Sequence, residues 1–117
     1  MIKPLALSLA TILLLASITC ASEKKEACVK YRKDFNWSKG YSVIATVISG
    51  SDLNQAVGSL NRFQSFATYA VVFWTEGQAT ILQLPSYGMG SLPMLDQEVE
   101  DQGGRKWTIR AGNISCY

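Results

Sequence analysis

Four acidic residues stand close together near the carboxyl end of the chain, namely Asp96, Glu98, Glu100 and Asp101. On a strand, residues 96, 98 and 100 would share one face because successive side chains alternate. Such a face could bind Ca²⁺ or supply a pair of catalytic carboxylates. The segment nevertheless lacks the alternating oxygen ligands and central glycine of an EF-hand loop. A small carboxylate-dependent hydrolase that uses Asp96, Glu98 or Glu100 stays open as one alternative.

The sequence contains no histidine, which argues against most other kinds of catalytic site. Histidine is the usual general base near neutral pH and the commonest metal ligand, so Ser-His, Cys-His and ordinary catalytic zinc sites are excluded. No glycine-rich phosphate loop is present either, because Gly88, Gly90, Gly103 and Gly104 match neither the GxGxxG nor the GxxxxGK pattern. We therefore expect no enzymatic activity, no cofactor and no metal ion.

The first 21 residues have the anatomy of a signal peptide. Lys3 precedes an uncharged apolar run over residues 5–18, which is shorter than the roughly 20 residues that a membrane-spanning helix needs. Small residues at positions 19 and 21 predict cleavage before Ser22, and Cys20 is then lost with the leader. Alternatively, Cys20 is acylated as in bacterial lipoproteins, although Ser17 and Thr19 fit that cleavage pattern poorly. We expect a periplasmic or secreted domain over residues 22–117, with no membrane span in its mature form.

Only two cysteines remain in the mature chain, Cys28 and Cys116, one near each end. An oxidising compartment favours a disulfide between them. In the chain-entropy model a loop of this length stabilises the fold by at most about 4 to 5 kcal/mol. We therefore predict a domain that this bridge closes end to end.

The charge and the loops bear on the kind of partner. Without Lys3 the chain has ten basic and nine acidic residues, which is too even a balance to predict nucleic-acid binding. The glycine-rich loop over residues 86–92 places Tyr87, Met89 and Leu92 among flexible positions. Apolar side chains on a loop often mark a protein interface. The alternative is that these three side chains fold back over the end of the sheet.

The elements that position these residues follow from hydrophobic periodicity. Residues 22–40 are polar and predict an N-terminal arm or a short helix, and residues 41–49 predict a buried strand. Ser51 is a candidate N-cap for an amphipathic helix. The apolar stripe of this helix comprises Leu53, Ala56, Val57, Leu60 and Phe63.

Two hairpins follow the helix. The first pairs residues 68–74 with 78–84, and the second pairs residues 95–100 with 105–110. We expect the three tryptophans to lie in the core or on sheet faces, in preference to a sugar-stacking platform. They are Trp37, Trp74 and Trp107. The predicted fold class is α+β, a small antiparallel sheet of four to five strands with one amphipathic helix across one face.

This order of elements resembles the plan of cystatins and monellin. The resemblance does not extend to protease inhibition, because cystatins carry Gln-x-Val-x-Gly in a hairpin that here reads Thr75-Glu76-Gly77-Gln78. An exported α+β domain with cysteines near both ends is also similar to small bacterial immunity proteins of the colicin type. We expect a non-enzymatic exported binding protein of the inhibitor or immunity type that acts on another protein. A structural envelope protein or lipoprotein anchored at Cys20 is a second alternative.

Overall fold

The structure, a computed structural model, describes residues 22–75, 77–86 and 90–117. The predicted leader and Cys20 lie outside these residues. Within them, no helix is long and apolar enough to cross a membrane. The elements in chain order are β1 (Glu23–Lys33), β2 (Asn36–Trp37), β3 (Tyr41–Ser49), α1 (Gly50–Val57), β4 (Thr68–Phe73), β5 (Ala79–Gln83), β6 (Gln97–Glu100) and β7 (Lys106–Ala111).

The strands form one antiparallel sheet with the order β5-β4-β3-β1-β7-β6, and β2 pairs only with β1. The sheet curls into a half-barrel, so that its edge strands β5 and β6 approach one another. The predicted sheet-rich domain with one short helix is confirmed. The predicted number of strands, four to five, was too small.

The two additional strands, β1 and β2, both lie in the segment where an arm or short helix was expected, and β1 is a central strand of the sheet. Ala27 and Val29 are fully buried on the inner face of the curl, and Tyr31 follows at the same spacing. Polar and charged residues at alternate positions face outward, and the first four residues of the strand are exposed. Only three inward positions alternate cleanly in this segment, which is too short a pattern to distinguish a strand from a polar arm.

The hydrophobic core fills the inner face of the curled sheet. Both predicted hairpins are present, with bounds one or two residues shorter at most ends. Because alternate residues of a strand face the same side, every long strand contributes to this one cluster. Its buried members are Ala27, Val29, Ala45, Val47, Ala70, Val72, Leu82, Leu84, Leu92, Val99, Trp107 and Ile109.

The helix lies on the outer face and is shorter than predicted. Ser49 caps it by accepting a hydrogen bond from Asp52 N–H, and Gly58 ends it in the left-handed conformation at φ 72°. Leu53 packs into a second cluster with strand residues, whereas Leu60 is 97 % exposed. The predicted apolar stripe is therefore buried only as far as Ala56. Phe63 packs against the outer cluster from the loop that follows the helix.

The predicted disulfide is confirmed between Cys28 and Cys116, with the Cα atoms 5.6 Å apart. Cys28 is only 1 % exposed, on the outer face of β1. The Arg110 guanidinium donates hydrogen bonds to the backbone oxygens of Ile114 and Ser115, 2.7 and 3.2 Å away. The bridge and these bonds hold the C-terminal segment against the centre of the sheet.

Candidate functional site

Glu98 and Glu100 on the outer face of β6, and Asp96 just before this strand, each lie beside a basic side chain. Lys106 Nζ lies 2.8 Å from a Glu100 oxygen and 3.6 Å from a Glu98 oxygen. Arg110 Nε lies 3.3 Å from Asp96 Oδ1. Within the described residues no group of three or more acidic, cysteine or histidine side chains is placed to hold a metal ion. Three of the four acids, Asp96, Glu98 and Glu100, thus form surface ion pairs.

The loop over residues 86–92 is described only in part. Leu92 is 8 % exposed and belongs to the inner core, so this side chain folds back under the sheet. Tyr87 and Met89 lie outside the described residues, and their predicted role in binding a partner stays a prediction.

A more specific feature lies at the free edge of β5. Leu84 N–H donates to Thr68 C=O, and Trp74 N–H donates to Gln78 C=O. Because hydrogen-bonded pairs alternate along an antiparallel ladder, the even-numbered residues of β5 are the ones whose backbone groups bond to β4. The backbone groups of Ala79, Ile81 and Gln83 consequently point away from β4. They form a row of donors and acceptors along the edge of the sheet.

Gln102 satisfies part of this row with its side chain. Its Oε1 accepts a hydrogen bond from Ile81 N–H at 2.9 Å, and its Nε2 donates to Ala79 C=O at 2.8 Å. A residue of a parallel neighbouring strand would bond the same two groups with its own backbone. The Gln102 amide thus supplies the donor and the acceptor that one residue of such a strand would supply. No described residue pairs with the next groups, Ile81 C=O and Gln83 N–H.

A groove of about 1100 Å³ runs along this edge. The loop that follows α1 lines one side through Arg62 and Phe66, and β6 lines the other through Glu98. Phe66 is 87 % exposed, although it is large and apolar. The Gln83 amide donates a 3.1 Å hydrogen bond to Gln64 Oε1, which joins the loop to the strand edge. The groove therefore combines unpaired backbone groups with an exposed aromatic anchor.

Next to this groove, one end of the half-barrel carries an aromatic cluster that includes two of the three tryptophans. Trp107 is buried and Trp74 is half-buried, as expected for core or sheet-face residues. Their indole N–H groups donate to Asp101 Oδ2 and Thr80 Oγ1 at 2.9 and 2.8 Å. Trp37 lies apart on β2, with the Arg32 guanidinium 5.3 Å from its ring centroid.

Sequence reasoning missed the β5 edge as a site. Gln102 was assigned only to the turn between β6 and β7, and its contact with Ile81 spans 21 positions of the chain. A lone glutamine in a turn carries no signal for such a contact. A comparison with protein-family models, curated proteins and solved structures finds no match. The function of the groove is therefore inferred from its own geometry.

Proposed function

We propose that this protein is a non-enzymatic, exported binding protein that acts on another protein by holding an extended segment of it along the free edge of β5. The observation that carries the proposal is the side-chain amide of Gln102, which bonds Ile81 N–H and Ala79 C=O where a neighbouring peptide would. The edge therefore already accepts a peptide-like group, and the groups beyond Gln102 continue the same pattern.

The dimensions of the groove suit a short peptide. β5 has five residues, which corresponds to about 16 Å of extended chain at roughly 3.3 Å per residue, and Gln102 occupies the part of this edge between Ala79 and Ile81. In strand addition, main-chain hydrogen bonds supply affinity and pockets for alternate side chains supply specificity. Phe66 and Arg62 line the same groove and could contact the side chains of such a segment. An apolar side chain beside an acidic one would complement them.

Export and an inhibitor-type role form part of the same proposal. A Cys28–Cys116 bridge is compatible with an extracellular location, since disulfides persist in oxidising compartments. A disulfide-closed sheet also presents a preorganised edge, which lowers the entropic cost of binding. The partner would accordingly be a periplasmic or extracellular protein with an accessible extended segment.

The experiment uses two substitutions at one position, Gln83→Ala and Gln83→Pro. Both remove the side chain, but only proline removes the backbone N–H that faces the groove, and the β4 ladder keeps its bonds. Random linear peptides are first selected against the wild-type domain. Their dissociation constants are then measured by isothermal titration calorimetry with both variants.

We expect Gln83→Pro to weaken peptide binding by about tenfold relative to Gln83→Ala, since about 1 to 1.5 kcal/mol is lost with one hydrogen bond. Circular dichroism and thermal unfolding show that each variant keeps its fold. Equal affinities for the two folded variants, or a failure of any peptide to be enriched, would overturn the proposal.

A further inference from the structure

Four aromatic rings lie at one end of the half-barrel, and each contacts the next so that the four contacts form a closed cycle. This end of the half-barrel carries the turns before β3, after β4 and before β7. The successive centroid separations are 6.2 Å for Tyr31–Tyr41, 6.0 Å for Tyr41–Trp74, 6.2 Å for Trp74–Trp107 and 5.6 Å for Trp107–Tyr31. The two tyrosines are near parallel and so are the two tryptophans. Such contacts fix the orientation of each ring. We call this set the aromatic mouth.

A pocket of about 690 Å³ opens onto the aromatic mouth. Tyr31, Tyr41 and Trp74 are only half-buried, so parts of these rings face the pocket. The volume lies within the range of roughly 300 to 1,000 Å³ that small-molecule sites occupy. Gln78 adds a polar side chain at the rim. One flat ring with polar substituents fits this combination of walls.

Two cations stand over the tyrosine rings. The Arg105 guanidinium carbon is 5.0 Å from the Tyr31 centroid, and Lys39 Nζ is 5.2 Å from the Tyr41 centroid. Neither side chain forms a salt bridge with any residue that the structure describes. Asp101 is the one acid among the described residues that line the pocket. Its carboxylate accepts hydrogen bonds from the backbone N–H groups of Gly103 and Arg105 and from the indole N–H of Trp107. Arg105 is the one described cation that lines the pocket, and the Lys39 ammonium adds a second positive charge over the Tyr41 ring, so these two positive charges outnumber the Asp101 carboxylate.

We infer that the aromatic mouth binds a six-membered ring that carries a carboxylate, with the ring against Trp74 and the tyrosines and the carboxylate between Lys39 and Arg105. Two sources supply this chemistry, a uronic acid unit of an acidic polysaccharide and a small aromatic carboxylic acid. Charge-assisted hydrogen bonds from lysine and arginine favour the anion, and the aromatic faces favour a ligand with an apolar ring face, which a pyranose offers through its C–H groups and an aromatic acid through its π face. Gln102 lines both this pocket and the groove, whereas Ile81 and Gln83, where the peptide is proposed to bond, line only the groove.

The test is a nuclear magnetic resonance titration of the complete mature domain with sodium glucuronate and with sodium benzoate. The neutral matched probes are methyl glucoside and benzamide. The three indole N–H signals give the readout, because Trp74 and Trp107 line the pocket whereas Trp37 does not. We expect the carboxylate probes to shift the signals of Trp74 and Trp107 at concentrations where their neutral analogues have little effect.

Three alanine variants complete the test. Lys39→Ala and Arg105→Ala each weaken binding of the carboxylate probe by about tenfold, because each removes one charge-assisted contact. Lys24→Ala, which makes the same charge change at the other end of β1, leaves the affinity unchanged. A response to glucuronate alone assigns the polysaccharide source, and a response to benzoate alone assigns the aromatic acid.

Three results would overturn the inference. They are unshifted Trp74 and Trp107 signals with all probes, equal responses to charged and neutral probes, and a loss of affinity in Lys24→Ala equal to that in Arg105→Ala. Gln83→Pro is expected to leave the titration unchanged, so a failure here is distinguishable from a failure of the peptide proposal.

Discussion

Asp101 joins the two ends of the turn between β6 and β7 through its carboxylate. Oδ1 accepts hydrogen bonds from Gly103 N–H and Arg105 N–H at 2.8 and 2.9 Å, and Oδ2 accepts the bond from the Trp107 indole. Partial burial on its own raises the pKa of this carboxyl. The three hydrogen bonds and the Arg105 charge outweigh burial and hold the pKa below its usual value of 3.8.

We predict that Asp101→Asn lowers the free energy of unfolding by about 1 to 2 kcal/mol at pH 7, because hydrogen bonds to a charged acceptor are replaced by weaker ones. Since the folded-state pKa is lowered, the stabilisation by the carboxylate is complete above the unfolded pKa of about 3.9. It disappears as pH falls through the lower folded pKa. Urea unfolding at pH 7 and near pH 3 measures both values.

Glu100→Gln is the matched control for this prediction. It makes the same carboxylate-to-amide change at an exposed ion pair with Lys106, whose effect is at most about 1 kcal/mol. A Glu100→Gln variant as destabilised as Asp101→Asn, or a loss for Asp101→Asn that does not shrink at low pH, would contradict the assigned role.

At the residue scale, sequence predicted some features and could not predict others. The Cys28–Cys116 pairing was predictable because the chain offers one pairing only once the predicted leader with Cys20 is set aside. The shared face of Glu98 and Glu100 was predictable from period-two spacing, whereas their common partner Lys106 was not named. The contact between Gln102 and the β5 edge was not predictable, because it depends on how far the whole sheet curls.

At the scale of elements, backbone hydrogen bonds from the first residues of α1 hold the segment between α1 and β4 in place. Gly50 N–H donates to Ala67 C=O at 2.7 Å, and Ser51 N–H donates to Ser65 C=O at 3.2 Å. The buried Asn54 amide exchanges two 2.8 Å hydrogen bonds with the backbone of Phe63. These contacts place Phe66 on the rim of the groove, so the loop is ordered by polar bonds as well as by packing.

Two glycines beside this loop are predicted to respond differently to alanine. A Cβ at Gly50 would overlap the Gln64 carbonyl, whereas a Cβ at Gly58 would meet open space. We expect Gly50→Ala to lower the free energy of unfolding by about 2 to 4 kcal/mol, because the backbone must move. Gly58→Ala should cost only about 1 kcal/mol, from its left-handed φ.

Chemical denaturation of both variants under the same conditions measures this difference. Equal losses for Gly50→Ala and Gly58→Ala would show that the loop does not lie against the helix start as described. Sequence periodicity could not have located this contact, since it extended the helix through Gly58 to Phe63. The left-handed cap at Gly58 ends the helix, and the bond from Asn54 then positions Phe63 instead.

At the scale of the whole molecule, the Cys28–Cys116 bridge spans 88 positions and links the central strand to the last residues. The curl of the sheet and the central place of β1 were not visible in the sequence, because a half-barrel depends on long-range pairing of β1 with both β3 and β7. The overall class was predictable, since each hairpin carries its own turn and alternation.

We predict that the double variant Cys28→Ala with Cys116→Ala loses about 2 to 5 kcal/mol of unfolding free energy. The loss arises because the unfolded chain is no longer constrained and the buried Cys28 site loses its sulfur contacts. Urea unfolding of the wild type with and without dithiothreitol should give a similar difference, whereas the reductant should not affect the double variant. A change below about 0.5 kcal/mol would contradict the closing role of the bridge.

The most direct measurement of the central claim is amide hydrogen exchange along β5, with and without a saturating selected peptide. In the free domain Leu82 N–H, which faces β4, should exchange slowly, and Gln83 N–H, which faces the groove, should exchange rapidly. We predict at least about tenfold slower exchange of Gln83 N–H when the peptide is bound, because a new strand accepts its hydrogen bond. Unchanged exchange at Gln83 in the saturated complex would contradict binding at this edge.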